Sequence, residues 1–121
     1  MTIIKKFSFD AAHYLPSYEG KCERLHGHTY RLTVMLEGVP DQEGMVFDFI
    51  KLKRIVNETI IEKFDHSCLN DFLPCPSAEN IAVYIWQELE PLVATSHSRL
   101  SEIEVWETKT SGCRYRGEKI S

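Results

Sequence analysis

Two stretches of alternating residues constrain this chain most. Residues 3–13 put Phe7, Phe9, Ala11 and His13 on one parity; residues 25–37 do the same for Tyr30, Leu32, Val34 and Leu36. A period of two is the period of a strand with one buried face. Residues 14–24 between them carry Pro16 and Gly20 and read as a loop. The pattern predicts two long strands able to pair as a hairpin.

The rest follows from breakers and helical spacing. Two Gly, a Pro and an Asp between Gly38 and Gly44 predict a turn. Asp48 is placed to cap a helix running to about Phe64, with Phe49, Leu52, Val56, Ile60 and Phe64 on its apolar face. Pro74 and Pro76 break the chain. Ser77 then caps a second helix, whose buried stripe is Ala78, Ile81, Ala82, Ile85, Leu89 and Leu92 and which ends or kinks near Pro91. Residues 100–107 and 113–120 predict two closing strands. The order is strand, strand, helix, helix, strand, strand. A length of 121 residues fits one domain, 1–121.

Composition narrows the function classes. Hydrophobic residues make up 43% and charged residues 26%, proportions of a folded soluble chain. The net charge of −4 argues against a nucleic-acid partner. No apolar run approaches the roughly 18 residues of a membrane span, so no membrane partner is expected. No long apolar stretch follows Lys5 and Lys6, so no signal peptide is read and a cytoplasmic, reducing setting is expected. Cys68, Cys75 and Cys113 are then expected to be small buried apolar residues. His97 has no ligand-like context and is expected at the surface; Asn57-Glu58-Thr59 matches a glycosylation sequon by chance, inside a helix.

The most informative run is Cys22-Glu23-Arg24-Leu25-His26-Gly27-His28. On a strand, His26 and His28 share a face. His13 lies in phase with Phe7 and Phe9, so hairpin pairing brings it opposite them. Three imidazoles suit zinc and leave its fourth position open, as in catalytic sites. The plain alternative is unrelated strand histidines; three of five falling in phase weighs against it.

Other residues admit two readings each. Cys22, beside a cationic centre, would ionise more easily and serve as a base or a nucleophile. Asp65-His66 is either an oriented acid–base pair or a helix C-terminal cap. Glu107 is either a carboxylate that accepts paired N–H bonds from a ring edge, or an exposed strand position or ion-pair partner. Lys109, Arg114, Arg116 and Lys119 make a local basic surplus, either an anion site or a solvated edge strand.

In order along the chain stand His13, Cys22 with His26-Gly27-His28, Asp65-His66, Pro76-Ser77-Ala78-Glu79-Asn80 and Trp106-Glu107-Thr108. This set resembles the family of 6-pyruvoyltetrahydropterin and 6-carboxytetrahydropterin synthases over nearly the whole chain. Three residues separate Cys22 from His26, which is similar to the bacterial 6-carboxy branch of queuosine biosynthesis. The 6-pyruvoyl branch has a longer spacing, and a third branch has Glu in place of the Cys. Ser77 stands where the family more often has Thr, and either hydroxyl caps a helix.

The resemblance implies an α+β tunnelling fold, ββααββ, with a four-stranded antiparallel sheet covered on one face by two helices. It implies a homohexamer, a dimer of trimers, with active sites at subunit interfaces. It implies Zn2+ on His13, His26 and His28, with Cys22 and His66, oriented by Asp65, moving protons. Glu107, with Thr108 beside it, would hold the pterin ring. The substrate would be a pterin triphosphate, 7,8-dihydroneopterin triphosphate, and the products 6-carboxytetrahydropterin, acetaldehyde and triphosphate. Lys109, Arg114 and Arg116 are candidates for the triphosphate on charge alone. A non-catalytic zinc- or pterin-binding member would have no need of Cys22 or Asp65-His66.

Overall fold

The computed structural model describes residues 1–20 and 23–120. β1 (Thr2–His13) and β2 (His26–Gly38) form an unbroken antiparallel ladder from Thr2 opposite Glu37 to His13 opposite His26. β2 pairs with β4 (Ser98–Trp106), with a register shift between Met35 and Leu36, and β4 pairs with β5 (Gly112–Tyr115). The expected four antiparallel strands are present. A fifth, β3 (Ser67–Cys68), runs parallel to β1 and gives the order β3-β1-β2-β4-β5. Two residues are too short to show an alternating pattern, so β3 left no signal in the sequence. The last strand stops at Tyr115 rather than continuing to 120.

The expected first helix is a composite. α1 (Phe49–Val56) passes through a π turn (Asn57–Ile61) into α2 (Glu62–Phe64). Asp48 caps it, its Oδ1 accepting from the Ile50 N–H at 2.9 Å. The apolar spacing accounts for the π turn. Leu52, Val56, Ile60 and Phe64, four apart, are all fully buried. Steps of four residues drift by about 40° each around a helix of 3.6 residues per turn. One wider turn cancels the drift and keeps the four side chains on the core. Phe49, expected on that face, is instead 48% exposed, with the Lys5 ammonium 6.0 Å from its ring centre.

α3 (Ala78–Val93) starts at Ser77, whose Oγ accepts from the Asn80 N–H at 3.2 Å. Its buried side is Ile81, Ala82, Ile85, Trp86, Leu89 and Val93. Leu92, expected to be buried, is exposed, and Val93 takes its place. Both helices cover the face of the sheet that carries Phe9, Ala11, Tyr30, Leu32, Val34, Ile103 and Val105. Cys68 and Cys113 are half-buried; burial pushes the Cys113 thiol up, so it stays neutral. Cys75 is exposed, against expectation, because it sits in the turn between Pro74 and Pro76. Its carbonyl accepts from the Ser77 N–H and from Asn80 Nδ2. Among the described residues, no helix is long and apolar enough to cross a membrane.

Candidate metal centre and acid–base pair

The β1–β2 register brings the histidines together. His13 lies opposite His26, and Ala11 opposite His28, so His28 is the diagonal neighbour of His13 on the core face. The ring centres stand 4.7 Å (His13–His26), 5.2 Å (His13–His28) and 4.8 Å (His26–His28) apart. One nitrogen from each lies within 4.8 Å of the others. Asn70 fastens the end of β1, accepting from the Tyr14 N–H at 3.0 Å and donating to the Tyr14 carbonyl at 2.9 Å.

Hydrogen bonds fix which nitrogens point inward. His13 Nδ1 donates to the Pro76 carbonyl at 2.7 Å, and His26 Nδ1 donates to the Arg24 carbonyl at 2.8 Å. Each imidazole therefore turns Nε2 toward the centre, and those two atoms lie 3.2 Å apart. In the neutral rings these are facing lone pairs, an arrangement that a cation between them relieves. His28 Nε2 is buried without a hydrogen-bond partner among the described residues. Burial lowers the His28 pKa, which keeps the ring neutral and able to donate a lone pair. The three side chains fit a metal with nitrogen preference on every count.

Glu107 closes the cluster. Its Oε1 lies 3.2 Å from His13 Nε2 and 3.7 Å from His28 Nε2. It also borders a small pocket with Ser77, Glu79, Ser111 and Cys113, at the start of α3. Glu23 was not singled out in the sequence. Its Oε1 accepts from the Leu15 N–H at 3.1 Å and lies 3.9 Å from His26 Nδ1, so it fastens the loop beside the site. Pro76 was also missed as a partner, because it acts through its carbonyl. The Tyr30 hydroxyl is fully buried without a hydrogen-bond partner among the described residues, and burial pushes the phenol pKa up. Cys22 lies outside the described residues.

Asp65 and His66 are held together in a cluster distinct from the three histidines, although His66 and His28 border one shallow pocket. Asp65 Oδ2 is 3.0 Å from His66 Nδ1, and Asp65 Oδ1 accepts from the Asp10 N–H at 2.9 Å. That backbone bond is the main cause of a lowered Asp65 pKa. His66 adopts a left-handed φ of 59°, and its own N–H donates to the Asp10 carbonyl at 2.6 Å. Asp10 alternates with buried Phe9 and Ala11, so its side chain leaves the opposite face of β1. Its carboxylate accepts from Thr29 Oγ1 at 2.5 Å and sits beside Asp65 and His66. The His66 side chain is 81% exposed. The pair directly follows α2, with Asp65 as its C-cap residue.

The basic candidates separate. Arg114 Nε donates to Glu104 Oε2 at 2.7 Å, and Arg116 Nε to Glu102 Oε1 at 2.8 Å. Arg114 is opposite Glu104, on the sheet face away from the helices, whereas the histidines are on the helix side. Within one chain these two arginines are therefore neutralised away from the histidine cluster. Thr108 turns away from the pocket of Glu107; its hydroxyl accepts from the Ser111 N–H at 3.1 Å and lines the far-face groove with Lys109.

The family model of 6-pyruvoyl tetrahydropterin synthase matches residues 2–118. The chain belongs to this family. It is 41% identical over 126 aligned positions to a 6-carboxy-5,6,7,8-tetrahydropterin synthase of Synechocystis, covering 98% of this chain and 95% of that one. It is 37% identical to a dihydroneopterin monophosphate aldolase of Pyrococcus furiosus, covering 91% and 92%. The 6-pyruvoyl tetrahydropterin synthase of Caenorhabditis elegans superposes with a TM-score of 0.84 at 30% identity, covering 98% and 96%. The tunnelling fold expected for the family is thus the fold of this chain, with β3 added at its edge.

Proposed function

We propose that this chain is a 6-carboxy-5,6,7,8-tetrahydropterin synthase of queuosine biosynthesis. It would act as one catalytic domain in the cytoplasm and convert 7,8-dihydroneopterin triphosphate to 6-carboxytetrahydropterin, acetaldehyde and triphosphate. The observation that carries the reading is the convergence of three imidazoles with the Glu107 carboxylate beside them. The 41% identity to the Synechocystis synthase supports the 6-carboxy branch.

His13, His26 and His28 would hold Zn2+, which supplies Lewis-acid polarisation of the substrate side-chain oxygens. The protein's own groups do the rest. Glu107 borders both the cluster and the pocket at the start of α3, where its carboxylate would accept N–H bonds from the amino-pyrimidine edge. His66, held through Nδ1 by Asp65, has Nε2 available to take and return protons at the side-chain carbons. Cys22 is assigned as the second acid–base group. Because His66 leaves the far side of β1, a neighbouring copy would supply it to each histidine cluster. That requirement supports interface active sites in a dimer of trimers.

The test is product analysis. Zinc-loaded protein is incubated anaerobically with 7,8-dihydroneopterin triphosphate, and pterins and acetaldehyde are identified by mass spectrometry. The expected result is 6-carboxytetrahydropterin and acetaldehyde together. Accumulation of 6-pyruvoyltetrahydropterin without acetaldehyde would assign the 6-pyruvoyl reaction instead.

A further inference from the structure

Glu107 faces two neighbours. Its backbone is fixed just past β4, where its N–H donates to the Ser111 carbonyl at 2.9 Å. Its carboxylate reaches the imidazoles, and the same residue borders the pocket of about 260 Å³ at the start of α3. With 28% of the side chain exposed, the carboxylate has room to turn from one to the other.

The spacing around the imidazoles is that of a coordination shell. Bonds of about 2.0–2.2 Å at tetrahedral angles set neighbouring donor atoms roughly 3.3–3.6 Å apart. His13 Nε2 is 3.2 Å from His26 Nε2 and 3.2 Å from Glu107 Oε1, which is also 3.7 Å from His28 Nε2. Hydrogen bonding does not account for where the carboxylate sits. His13 Nδ1 is committed to the Pro76 carbonyl, so in the neutral ring Nε2 offers Glu107 a lone pair rather than an N–H. His28 Nε2 is buried without a hydrogen-bond partner among the described residues. A carboxylate oxygen and imidazole lone pairs crowded about one point are relieved by a cation there. Charge points the same way. A divalent cation on three neutral imidazoles keeps its full charge in a site where His13 is 2% exposed, and one carboxylate halves it.

We propose that Glu107 is an exchangeable fourth donor. In the ligand-free chain it closes the metal position that the three imidazoles leave open, and a ring in the adjoining pocket draws it off. The exchange rests on the proposed pterin reading of that pocket; the donor role does not. An amino-pyrimidine edge offers two parallel N–H groups, which engage both oxygens of a carboxylate. An oxygen so engaged is a weaker donor to a cation. The metal position would then open only with substrate seated, when the substrate's side-chain oxygens need it. Binding of metal and of ring must oppose each other, by one factor in both directions.

The probes are Zn2+, Co2+ and pterin, whose ring has no side chain to reach the metal. Competition of the full chain with a chelator is expected to show zinc affinity at least about tenfold weaker in Glu107→Ala than in wild type, with circular dichroism unchanged. Glu107→Gln, which keeps the shape and removes the charge, is expected to fall in the same direction. Glu79→Gln, which removes the other carboxylate of the pocket, is expected to leave zinc affinity within about twofold. Pterin added to cobalt-loaded wild type is expected to alter the visible cobalt bands. Metal-loaded wild type is expected to bind pterin at least about threefold more weakly than the metal-free protein. Unchanged zinc affinity in Glu107→Ala with pterin binding lost would overturn the donor role and leave the pterin anchor standing. Pterin binding that is equal or tighter in the metal-loaded protein would overturn the exchange. No pterin binding to either form, with zinc affinity lowered in Glu107→Ala, would uphold the donor and overturn the exchange together with the pterin reading beneath it.

Discussion

His13 Nδ1 donates to the carbonyl of Pro76 across 63 residues of sequence, at 2.7 Å. This bond links β1 to the residue just before the Ser77 cap of α3 and commits Nε2 of His13 to the cluster. An outer-shell bond of this kind fixes the tautomer and orients the ligand. Removing the ring itself by His13→Ala is predicted to weaken zinc binding by at least about 100-fold. Metal analysis after dialysis against a graded chelator reads this directly. Zinc retained at the wild-type level would remove His13 from the ligand set.

The His28 pKa is lowered, chiefly by burial. Unfolding would let the ring take up a proton near its ordinary pKa of about 6.5. In the metal-free protein the unfolded state therefore binds more protons below that value, and stability falls as pH drops from about 6.5 toward the lower folded value. Above about 6.5 this contribution is constant. Thermal melts of the metal-free protein between pH 7.5 and pH 5 are predicted to show the loss, and His28→Gln to reduce it. A melt whose pH dependence is the same in both proteins would sink the assignment to His28.

The hairpin and its histidines were legible because one pattern, alternation, fixes both the strand face and the ligand face. His13, His26 and His28 are in phase with Phe9, Ala11 and Tyr30, so the core and the cluster come from one register. Glu107 was recognisable from its Trp106-Glu107-Thr108 setting but not from periodicity, because it lies just past the end of β4. Asp10 and Pro76 were not legible as partners. Each acts through its backbone, where side-chain identity carries no signal. The split of the basic residues was also hidden: only the β4–β5 register shows that Arg114 faces Glu104 while Lys109 shares a groove with Lys6 and Arg31.

Gly117 is a packing position that sequence spacing does not reveal. Its φ is +80°, and a Cβ there would come within 2.5 Å of Trp86 Cζ2. The Trp86 ring meets Tyr115 edge-on at 5.5 Å, so the segment after β5 closes over α3. Gly117→Ala adds both a left-handed backbone cost and an overpacked ring, together about 2–3 kcal/mol. Urea denaturation is predicted to show this with zinc content intact. A change below about 0.5 kcal/mol would mean that the segment is free to lift off.

Asp65 holds His66 Nδ1 while Asp10 clamps Asp65 and His66 through its backbone N–H and C=O. Asp65→Ala removes the orienting carboxylate without touching the histidine cluster. Turnover of the pterin triphosphate is predicted to fall by about 100-fold or more, the usual worth of a positioned acid–base group. Zinc content should stay at the wild-type level. Full activity in this variant would show that His66 needs no partner, and loss of zinc would show that the two clusters are structurally coupled.

Separation of the histidine cluster from His66 on opposite sides of β1 makes a prediction about shared sites. If each site takes His13 from one chain and His66 from a neighbour, then His13→Ala and His66→Ala chains are each inactive alone. Mixed at equal amounts, unfolded and refolded together with zinc, they form some sites that carry both intact residues. Random assembly gives about one site in four with both, so about a quarter of wild-type activity is expected. A site built within one chain has no such route, because every chain in the mixture lacks one of the two residues. Recovery in the mixture, set against refolded single variants as controls, therefore separates the two arrangements. Activity that stays at the single-variant level after proven co-assembly would place the whole site within one chain and exclude the interface.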